Sequence, residues 1–447
     1  MSNFDIIFLV FLYVILSLLL IITIIKNIKE HKKITIYIFF LIYFLLVYGI
    51  TPIVSILYIH IKDIINSYYF TKDVSYYYLL FFITIIFLFL FLFFYKLLSK
   101  VNKKNLIKKE INVQSNSFFI TTLFISLLGI VSLVLWTKAY GKPWDIIKYA
   151  NAIRSGYSPI YNNLTFLKPF CSLIIVAFYA NVSMLKKTKF KFLNFLDMMI
   201  NLFFSIIYLL ANDGRMFMLV FILTIFLYRK NKNLKLKPKI VSMYIIIGLI
   251  TISALGRLDD LTYYIRNGKE NINNSQLSLS NVIHNEFTFT YRNGINVLYL
   301  NNNYNLEIHE FKDIKNIAFA WVPERFNRNK ENLTKINTSY YYNAIGVIPT
   351  DIITASIFKF NYVGVVIMPF IVSCLLHMLE NFFSKYNSSY MDIMYNFVAC
   401  NICLRFIAYY DLSDILYSSF YLIISFIIII GICAKNNNIN KRRHLYE

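Results

Sequence analysis

The segment "FDIIFLVFLYVILSLLLIITIIKNIKEHKK", residues 4–33, decides the fold class. Residues 4–25 form an apolar run with a single charge. About 20 such residues, coiled as a helix, cross the hydrocarbon core of a bilayer. Four lysines follow within residues 26–33, and basic loops are typical of the cytoplasmic side. Because no basic region precedes the run and it has no small-residue cleavage site, we expect a transmembrane helix with its N-terminus outside, and not a signal peptide.

The composition of the whole chain agrees with a membrane protein. Of its 447 residues, 58% are hydrophobic and 15% are charged, and the mean hydropathy is +0.57. Soluble domains average about 45–50% apolar and about 25% charged residues. The net charge of +22 raises the question of a nucleic-acid partner. Because much of this charge lies in short loops beside apolar runs, we predict a lipid bilayer as partner and no nucleic acid.

Apolar runs recur along the chain, and alternate loops between them are densely basic. This alternation predicts an all-α, polytopic integral membrane protein with about 11 transmembrane helices. The second run contains Pro52, where we expect a kink. The predicted spans are 4–25, 34–59, 77–98, 118–137, 167–185, 192–211, 216–228, 240–255, 362–381, 393–410 and 415–434.

The spans predict three regions. Residues 1–255 form an N-terminal transmembrane bundle of about eight spans, and residues 256–361 form a large outer loop. Residues 362–447 contain the last spans and a basic cytoplasmic tail. A loop of this length is most often functional. We expect it to contain short amphipathic helices that lie on the membrane face.

Arg215 lies in "LLANDGRMFMLVF", residues 209–221, at a tight turn on the predicted outer rim. Helix N-termini favour anions, because their first N–H groups are unpaired and lie along the helix dipole. A guanidinium there is suited to bind two phosphate oxygens at once. The alternative interpretation is that Arg215 extends to the lipid headgroups. The residue in isolation supports both interpretations equally.

Further cations lie in the outer loops. Arg154 belongs to "NAIRSGYSP", and Arg325, Arg328 and Lys330 belong to "AWVPERFNRNKENL". Outward arginines depart from the positive-inside pattern, and an anion such as a lipid-linked diphosphate explains them best. A solvated face beside carboxylates is the competing interpretation, and it suits Arg328 better than Arg325.

The sequence contains no motif for a metal or a cofactor. Its six histidines are scattered, and it has no H-E-x-x-H, no P-loop and no G-x-G-x-x-G. The five cysteines fall in apolar runs and suggest no disulfide framework. We therefore predict neither a metal nor a cofactor.

Three motifs resemble those of the bacterial oligosaccharide repeat-unit polymerases, which make O-antigen and capsular polysaccharide. They are the turn "NDGR" at 212–215, the loop segment "WVPERFNRNKENL" at 321–333, and the lead-in "GVIPTDIITASIFKFNYVGVVI" at 346–367. In that family the lead-in precedes a Phe-Gly-x-x-Gly helix start. Here Asn361 replaces the first glycine and Gly364 keeps the second, while Glu324 separates Pro323 from the arginine.

The resemblance implies a metal-independent, C-type membrane glycosyltransferase in the bacterial inner (cytoplasmic) membrane, with its active site on the periplasmic face. Donor and acceptor would both be oligosaccharides on undecaprenyl diphosphate, and a chain-length regulator protein is an implied partner. Cations would stabilise the charge on the departing diphosphate. The residues assigned by this reasoning are Arg215 and Arg325 as catalytic, Arg154, Arg328, Lys330 and Asp213 as substrate-binding, and Asp213, His284, Glu286 and Glu324 as alternative bases.

Three other functions stay open. An O-antigen ligase uses the same donor with a different acceptor. A flippase or transporter of lipid-linked sugars is disfavoured, because the sequence has no inverted repeat of broken helices. A structural scaffold is disfavoured as well, since it would not need arginines at outer helix rims.

Overall fold

The computed structural model describes residues 2–31, 34–62, 73–101, 109–150, 153, 160, 162–185, 187–212, 214–231, 279–304, 333–340 and 348–435. Most of these residues are helical. The helices are α1 Asn3–His31, α2 Ile36–Phe44, α3 Thr51–Lys62, α4 Ser75–Val101, α5 Asn116–Thr137, α6 Lys168–Cys171, α7 Leu173–Met184, α8 Lys191–Asn212, α9 Gly214–Asn231, α10 Leu279–Tyr304, α11 Leu333–Ser339, α12 Ile352–Phe360, α13 Gly364–Ser384, α14 Ser389–Ala408 and α15 Leu412–Cys433. The strands are β1 Lys109–Ile111, β2 Tyr386–Asn387 and β3 Ala434–Lys435.

Eight helical segments among the described residues are long and apolar enough to cross a membrane. They are Asn3–Glu30, Ile36–Leu57, Ser75–Lys100, Asn116–Tyr140, Thr165–Met184, Lys191–Asn212, Ile352–Ser384 and Ser389–Ala408. Two shorter apolar helices, Met216–Tyr228 and Ser418–Cys433, coincide with the predicted seventh and eleventh spans. The predicted eighth span lies outside the described residues. The mostly helical, multi-pass membrane class is therefore confirmed, and the count of eleven stays a prediction.

Helix α1 shows why these helices suit a bilayer. One stripe is buried against protein, at the helical spacing of Leu9, Tyr13, Leu16, Leu20 and Ile24. The other faces of α1 expose large apolar side chains along the whole apolar run. In water such a surface is unfavourable, whereas lipid tails solvate it.

The second span is irregular at the turn before Pro52. Helix α2 passes into a π-helical turn over Leu45–Ile50, and α3 begins at Thr51. The hydroxyl of Thr51 donates to the carbonyl of Leu46 at 2.7 Å inside this widened turn. Proline supplies no backbone N–H, and the sequence predicts a kink at Pro52 for that reason. The structure shows this irregularity as the π-helical turn just before Pro52.

The chain divides into two compact units. The first contains residues 1–104, 275–380 and 399–416. Within it, α10 packs against α3, α4 and α12. Gly294 makes one approach possible, because a Cβ at that position would lie 2.7 Å from Cδ1 of Leu80. Helix α10 has 26 residues and buries much of its described surface, so the expectation of short helices on the membrane face is wrong for this part of the predicted outer loop.

The second unit contains residues 105–274, 381–398 and 417–447. Helices α5, α7 and α8 pack on one another, and α9 packs on α8. Helix α7 is buried along almost its whole length. A Cβ at Gly129 of α5 would lie 2.8 Å from Cγ1 and 2.9 Å from the backbone nitrogen of Ile174. The glycine therefore allows α5 to approach the backbone of α7.

A small sheet in the second unit has the strand order β2-β1-β3. Strand β1 pairs in parallel with β2, with Lys109 opposite Tyr386, and antiparallel with β3, with Glu110 opposite Lys435. Strands that exchange backbone hydrogen bonds lie about 4.8 Å apart, so all three segments are on the same side of the membrane. The loop at 381–391 has only one basic residue, and its pairing with β1 agrees with the prediction that the two loops share a side.

Candidate functional site

The "NDGR" turn is as tight as the sequence suggests. Helix α8 ends at Asn212 and α9 begins at Gly214, so a single residue, Asp213, separates the two helices. Asp213 itself lies outside the described residues. The side-chain amide of Asn212 donates to the carbonyl of Tyr208, one turn earlier, at 3.2 Å.

Arg215 is the second residue of α9. The first N–H groups of a helix have no partner within the helix, and the dipole makes this end electropositive. The backbone at Arg215 thus lies at the electropositive end of α9, which favours an anion, as predicted. The side chain of Arg215 is outside the described part of the structure, and its role as a diphosphate ligand stays a prediction.

The remaining predicted site residues fall into two groups. His284 and Glu286 belong to the backbone of α10, near its beginning, and their side chains are outside the described part. Positions two residues apart lie on different faces of a helix, so only one of these two positions faces any given ligand. The residues that lie wholly outside the described ranges are Arg154, Glu324, Arg325, Arg328 and Lys330.

The lead-in segment contains a buried polar cluster that the sequence reasoning did not identify. Asp351 caps the N-terminus of α12 and is fully buried in the first unit. Its carboxylate accepts from the backbone nitrogens of Ile353 and Thr354, both at 3.1 Å. It also accepts from the hydroxyls of Thr354 and Tyr48, each at 2.5 Å. Tyr48 comes from the π-helical turn of the second span, and such turns are frequent at functional sites.

The backbone that leads into α12 is held on several sides. The amide of Asn293 in α10 donates to the carbonyl of Pro349 at 2.8 Å. The amide of Asn337 in α11 donates to the carbonyl of Ile348 at 3.1 Å. The backbone nitrogen of Tyr410 donates to the carbonyl of Thr350 at 2.6 Å. Three different segments thus fix residues 348–350.

Asp351 serves as a positioning group in this cluster. Burial raises the pKa of its carboxyl, and the four donated hydrogen bonds oppose that rise. Four donors occupy about as many acceptor directions as a carboxylate has. The cluster therefore suits the anchoring of α12 better than proton transfer. An aspartate before the apolar run "IITASIF" is a helix N-cap signal, and this signal identifies Asp351 from sequence.

The "FNYVG" segment, residues 360–364, ends α12 and starts α13 sharply. Asn361 has φ of 53° and ψ of −148°, a conformation that is essentially confined to glycine. Its side-chain oxygen accepts from the backbone nitrogen of Tyr362 at 2.7 Å and from the amide of Asn301 at 2.9 Å. A Cβ at Gly364 would lie only 2.0 Å from the carbonyl oxygen of Ser356. Both glycine positions of the family motif thus have a physical reason in this backbone.

Comparisons with protein-family models, with curated proteins and with solved structures found no match for this chain.

Proposed function

We propose that this chain is a polymerase of surface-polysaccharide repeat units. In the proposed reaction the growing glycan moves from undecaprenyl diphosphate to the non-reducing end of a new lipid-linked repeat unit. The multi-pass fold supports the proposal, because both substrates are anchored in a bilayer. The sharp helix start at Gly364 supports it too, since the motif that resembles the polymerase family lies there.

The observation that carries the proposal is the position of Arg215 in the first turn of α9. A diphosphate leaving group already carries negative charge, and more develops on its oxygen as the bond to sugar breaks. A helix N-terminus and a guanidinium together suit this charge without a metal ion. We assign Arg215 and Arg325 to the diphosphate, with Arg154 as a third cation and Arg328 and Lys330 as further glycan contacts.

The proposed step is a single displacement. A hydroxyl of the acceptor sugar attacks the anomeric carbon of the donor, and the bond from that carbon to the diphosphate oxygen breaks. The proton of the hydroxyl passes to one base, for which Asp213, His284, Glu286 and Glu324 are the candidates. The products are a glycan that is longer by one repeat unit and free undecaprenyl diphosphate.

Complementation of a gene deletion in the host tests the proposal. Wild type, Arg215→Ala and Arg229→Ala are each expressed in the deletion strain, and surface glycan is separated on a gel. Arg229 is a matched control, because it lies in the same helix about 21 Å away along the axis. We expect single repeat units in the deletion strain, and a glycan ladder restored by wild type and Arg229→Ala but not by Arg215→Ala.

Protein levels in membranes are measured for each variant, so that lost activity is not confused with lost protein. If the deletion strain still makes polymerised glycan that is not attached to its acceptor, the function is that of an O-antigen ligase and not of a polymerase. If the deletion strain accumulates lipid-linked repeat units on the inner face of the membrane, the function is that of a flippase. A full ladder with Arg215→Ala would refute the assignment of Arg215.

A further inference from the structure

Helix α8 carries a line of polar residues through a membrane span. Asn194, Asp197, Asn201, Ser205 and Asn212 recur at helical spacing along one side of this apolar helix. We call these five residues the polar stripe. From first to last it extends about 27 Å at 1.5 Å per residue, which is close to the thickness of a hydrocarbon core.

The other side of α8 faces away from protein. Large apolar side chains there are exposed, among them Phe192 at 76% and Phe203 at 53%. The polar stripe faces inward, since Asn194, Asn201 and Ser205 are each at most 1% exposed. The helix thus separates a lipid-facing side from a polar interior side within one span.

Asp197 is the charged residue of the polar stripe. Its Oδ1 accepts from the hydroxyl of Ser126 in α5 at 2.7 Å, and its Oδ2 accepts from the amide of Asn181 in α7 at 2.6 Å. Among the described residues, no lysine, arginine or histidine forms an ion pair with it. An acidic residue inside a membrane span is a candidate functional group. Here the two side chains that donate hydrogen bonds to it are neutral.

Two amide oxygens near Asp197 have no hydrogen-bond partner in the described part of the chain. Asn181 and Asn194 are 0% and 1% exposed, and each keeps a buried Oδ1 with no donor. Their amide nitrogens are already used, by Asp197 and by the carbonyl of Asn181 respectively. Buried acceptors without a partner are unfavourable. Asn181 is bonded directly to the carboxylate of Asp197, whereas Asn194 is bonded to the backbone of Asn181 and lies about one turn before Asp197 on α8.

We propose that Asp197, Asn181 and Asn194 bind a monovalent alkali cation. Hard cations take carboxylate and carbonyl oxygens as ligands. One carboxylate and neutral amide oxygens carry a total charge of −1, which a monovalent cation cancels. A divalent cation would leave a net positive charge in the membrane interior. A proton on Asp197 would satisfy one acceptor only, whereas a cation is bound by several oxygens together.

Asn201 provides a matched control on the same face of α8. Its amide nitrogen donates to the carbonyl of Asp197 at 2.8 Å, and its Oδ1 accepts from Ser126 at 3.1 Å. It is as buried as Asn194, but its oxygen shares the hydroxyl of Ser126 with Asp197, whereas the oxygen of Asn194 has no donor in the described part of the chain. If the polar stripe only holds helices together, Asn194→Ala and Asn201→Ala have similar effects. If it binds a cation, the two variants differ.

Equilibrium binding of ²²Na⁺ to the purified full-length protein in detergent tests the proposal, with choline chloride as background salt. We expect about one ion per chain, displaced by unlabelled NaCl. Asp197→Asn should weaken binding about tenfold or more, and Asn194→Ala should weaken it as well, while Asn201→Ala stays within about twofold of wild type. Stronger displacement by KCl than by NaCl would support an alkali-cation site with potassium as its ion.

Three results would overturn the proposal. The first is binding of ²²Na⁺ to wild type that is no stronger than to Asp197→Asn. The second is equal loss in Asn194→Ala and Asn201→Ala, and the third is stronger displacement by CaCl2 or MgCl2 at equal ionic strength. Size-exclusion profiles check that each variant is folded, and the pair Asn194→Ala and Asn201→Ala decides the matter if Asp197→Asn does not fold. Because the assay contains no glycan, its outcome is independent of the proposed transferase activity.

Discussion

Substitution of Gly364 by alanine tests the close approach between the end of α12 and the start of α13. The new Cβ would lie 2.0 Å from the carbonyl oxygen and 2.6 Å from the carbonyl carbon of Ser356. Both are backbone atoms, so no side-chain rotation relieves the contact. Gly364 has φ of −58°, which alanine adopts freely, and the effect is therefore steric alone.

The expected magnitude follows from this distance. Real Cβ contacts essentially never fall below 3.0 Å, so the two helices must separate by about 1 Å at this point. Overpacking of a well-packed site costs about 1–3 kcal/mol, and a contact with backbone belongs at the upper end of that range. A loss of about 2–3 kcal/mol lowers the Tm of a unit of this size by about 4–12 °C.

Thermal unfolding of the purified protein in detergent measures the effect. Gly431→Ala is the matched control, because a Cβ at Gly431 meets nothing within 4 Å. Gly431 lies in the last turn of α15, so the gain from helix propensity is below the roughly 0.5–1 kcal/mol expected in a helix interior. We therefore expect Gly364→Ala to melt well below wild type and Gly431→Ala to melt at or slightly above it.

Two outcomes would refute this reasoning. The first is a Tm of Gly364→Ala within about 2 °C of the wild-type value. The second is restoration of the Tm by adding Ser356→Ala to Gly364→Ala. The second result would place the clash on the side chain of Ser356, whereas the structure places it on the main chain.

Three further predictions concern the same region. Asn361→Ala keeps the φ of 53° but loses the side-chain hydrogen bonds, so it should unfold about 1–2 kcal/mol more easily than Asn361→Gly; equal Tm values would contradict the strain. Asp351→Ala removes the acceptor of two hydroxyls, on Tyr48 and Thr354, and of two backbone N–H groups, and should lose about 3 kcal/mol, against about 1 kcal/mol for Tyr48→Phe. The reverse order in thermal melts would show that Asp351 does not organise the cluster. Burial raises the pKa of Asp351 above its usual 3.8, so its contribution to stability is full below that value and is lost as pH rises through the raised pKa. The wild-type Tm should therefore fall over that range while Asp351→Asn stays level, and parallel curves would rule out Asp351 as the cause.

Hydropathy predicted the long spans well, because their physical cause is local. The span predicted at 192–211 appears as Lys191–Asn212, and the span predicted at 4–25 begins at Asn3 but continues to His31, through residues predicted as a loop. The tight turn at Asn212 was predicted from its small polar residues, and helices on both sides confirm it. A span depends on the length and polarity of one segment, which the sequence states directly.

Helix α10 shows what such patterns do not reveal. Its sequence, "LSNVIHNEFTFTYRNGINVLYLNNNY", contains many polar residues, among them "HNE" at 284–286. It is not among the segments apolar enough to be read as a membrane span. The carbonyl of Pro349 accepts from the amide of the buried Asn293 and compensates the burial of that polar group. That partner is 56 residues away. Burial of a polar residue thus depends on tertiary structure, and local pattern does not predict it.

The candidate site divides in the same way. The turn at Arg215 was predicted, since glycine and a helix start are local signals. The cluster at Asp351 was missed because its other member, Tyr48, lies 303 residues earlier, in a span that looks uniformly apolar. The convergence of Arg154 and Arg325 on one ligand remains a prediction, since both lie outside the described ranges.

The three-stranded sheet also restricts the count of membrane crossings by parity. Strands on one side of a bilayer are joined by an even number of crossings. Between β1 and β2 lie four long apolar segments and the shorter Met216–Tyr228 among the described residues, which makes five. If each crosses once, an even number requires one further crossing, which agrees with the span that the sequence predicts at 240–255, outside the described residues. The hydrogen bonds of three short strands outside the bilayer thus restrict the number of membrane crossings to an even value.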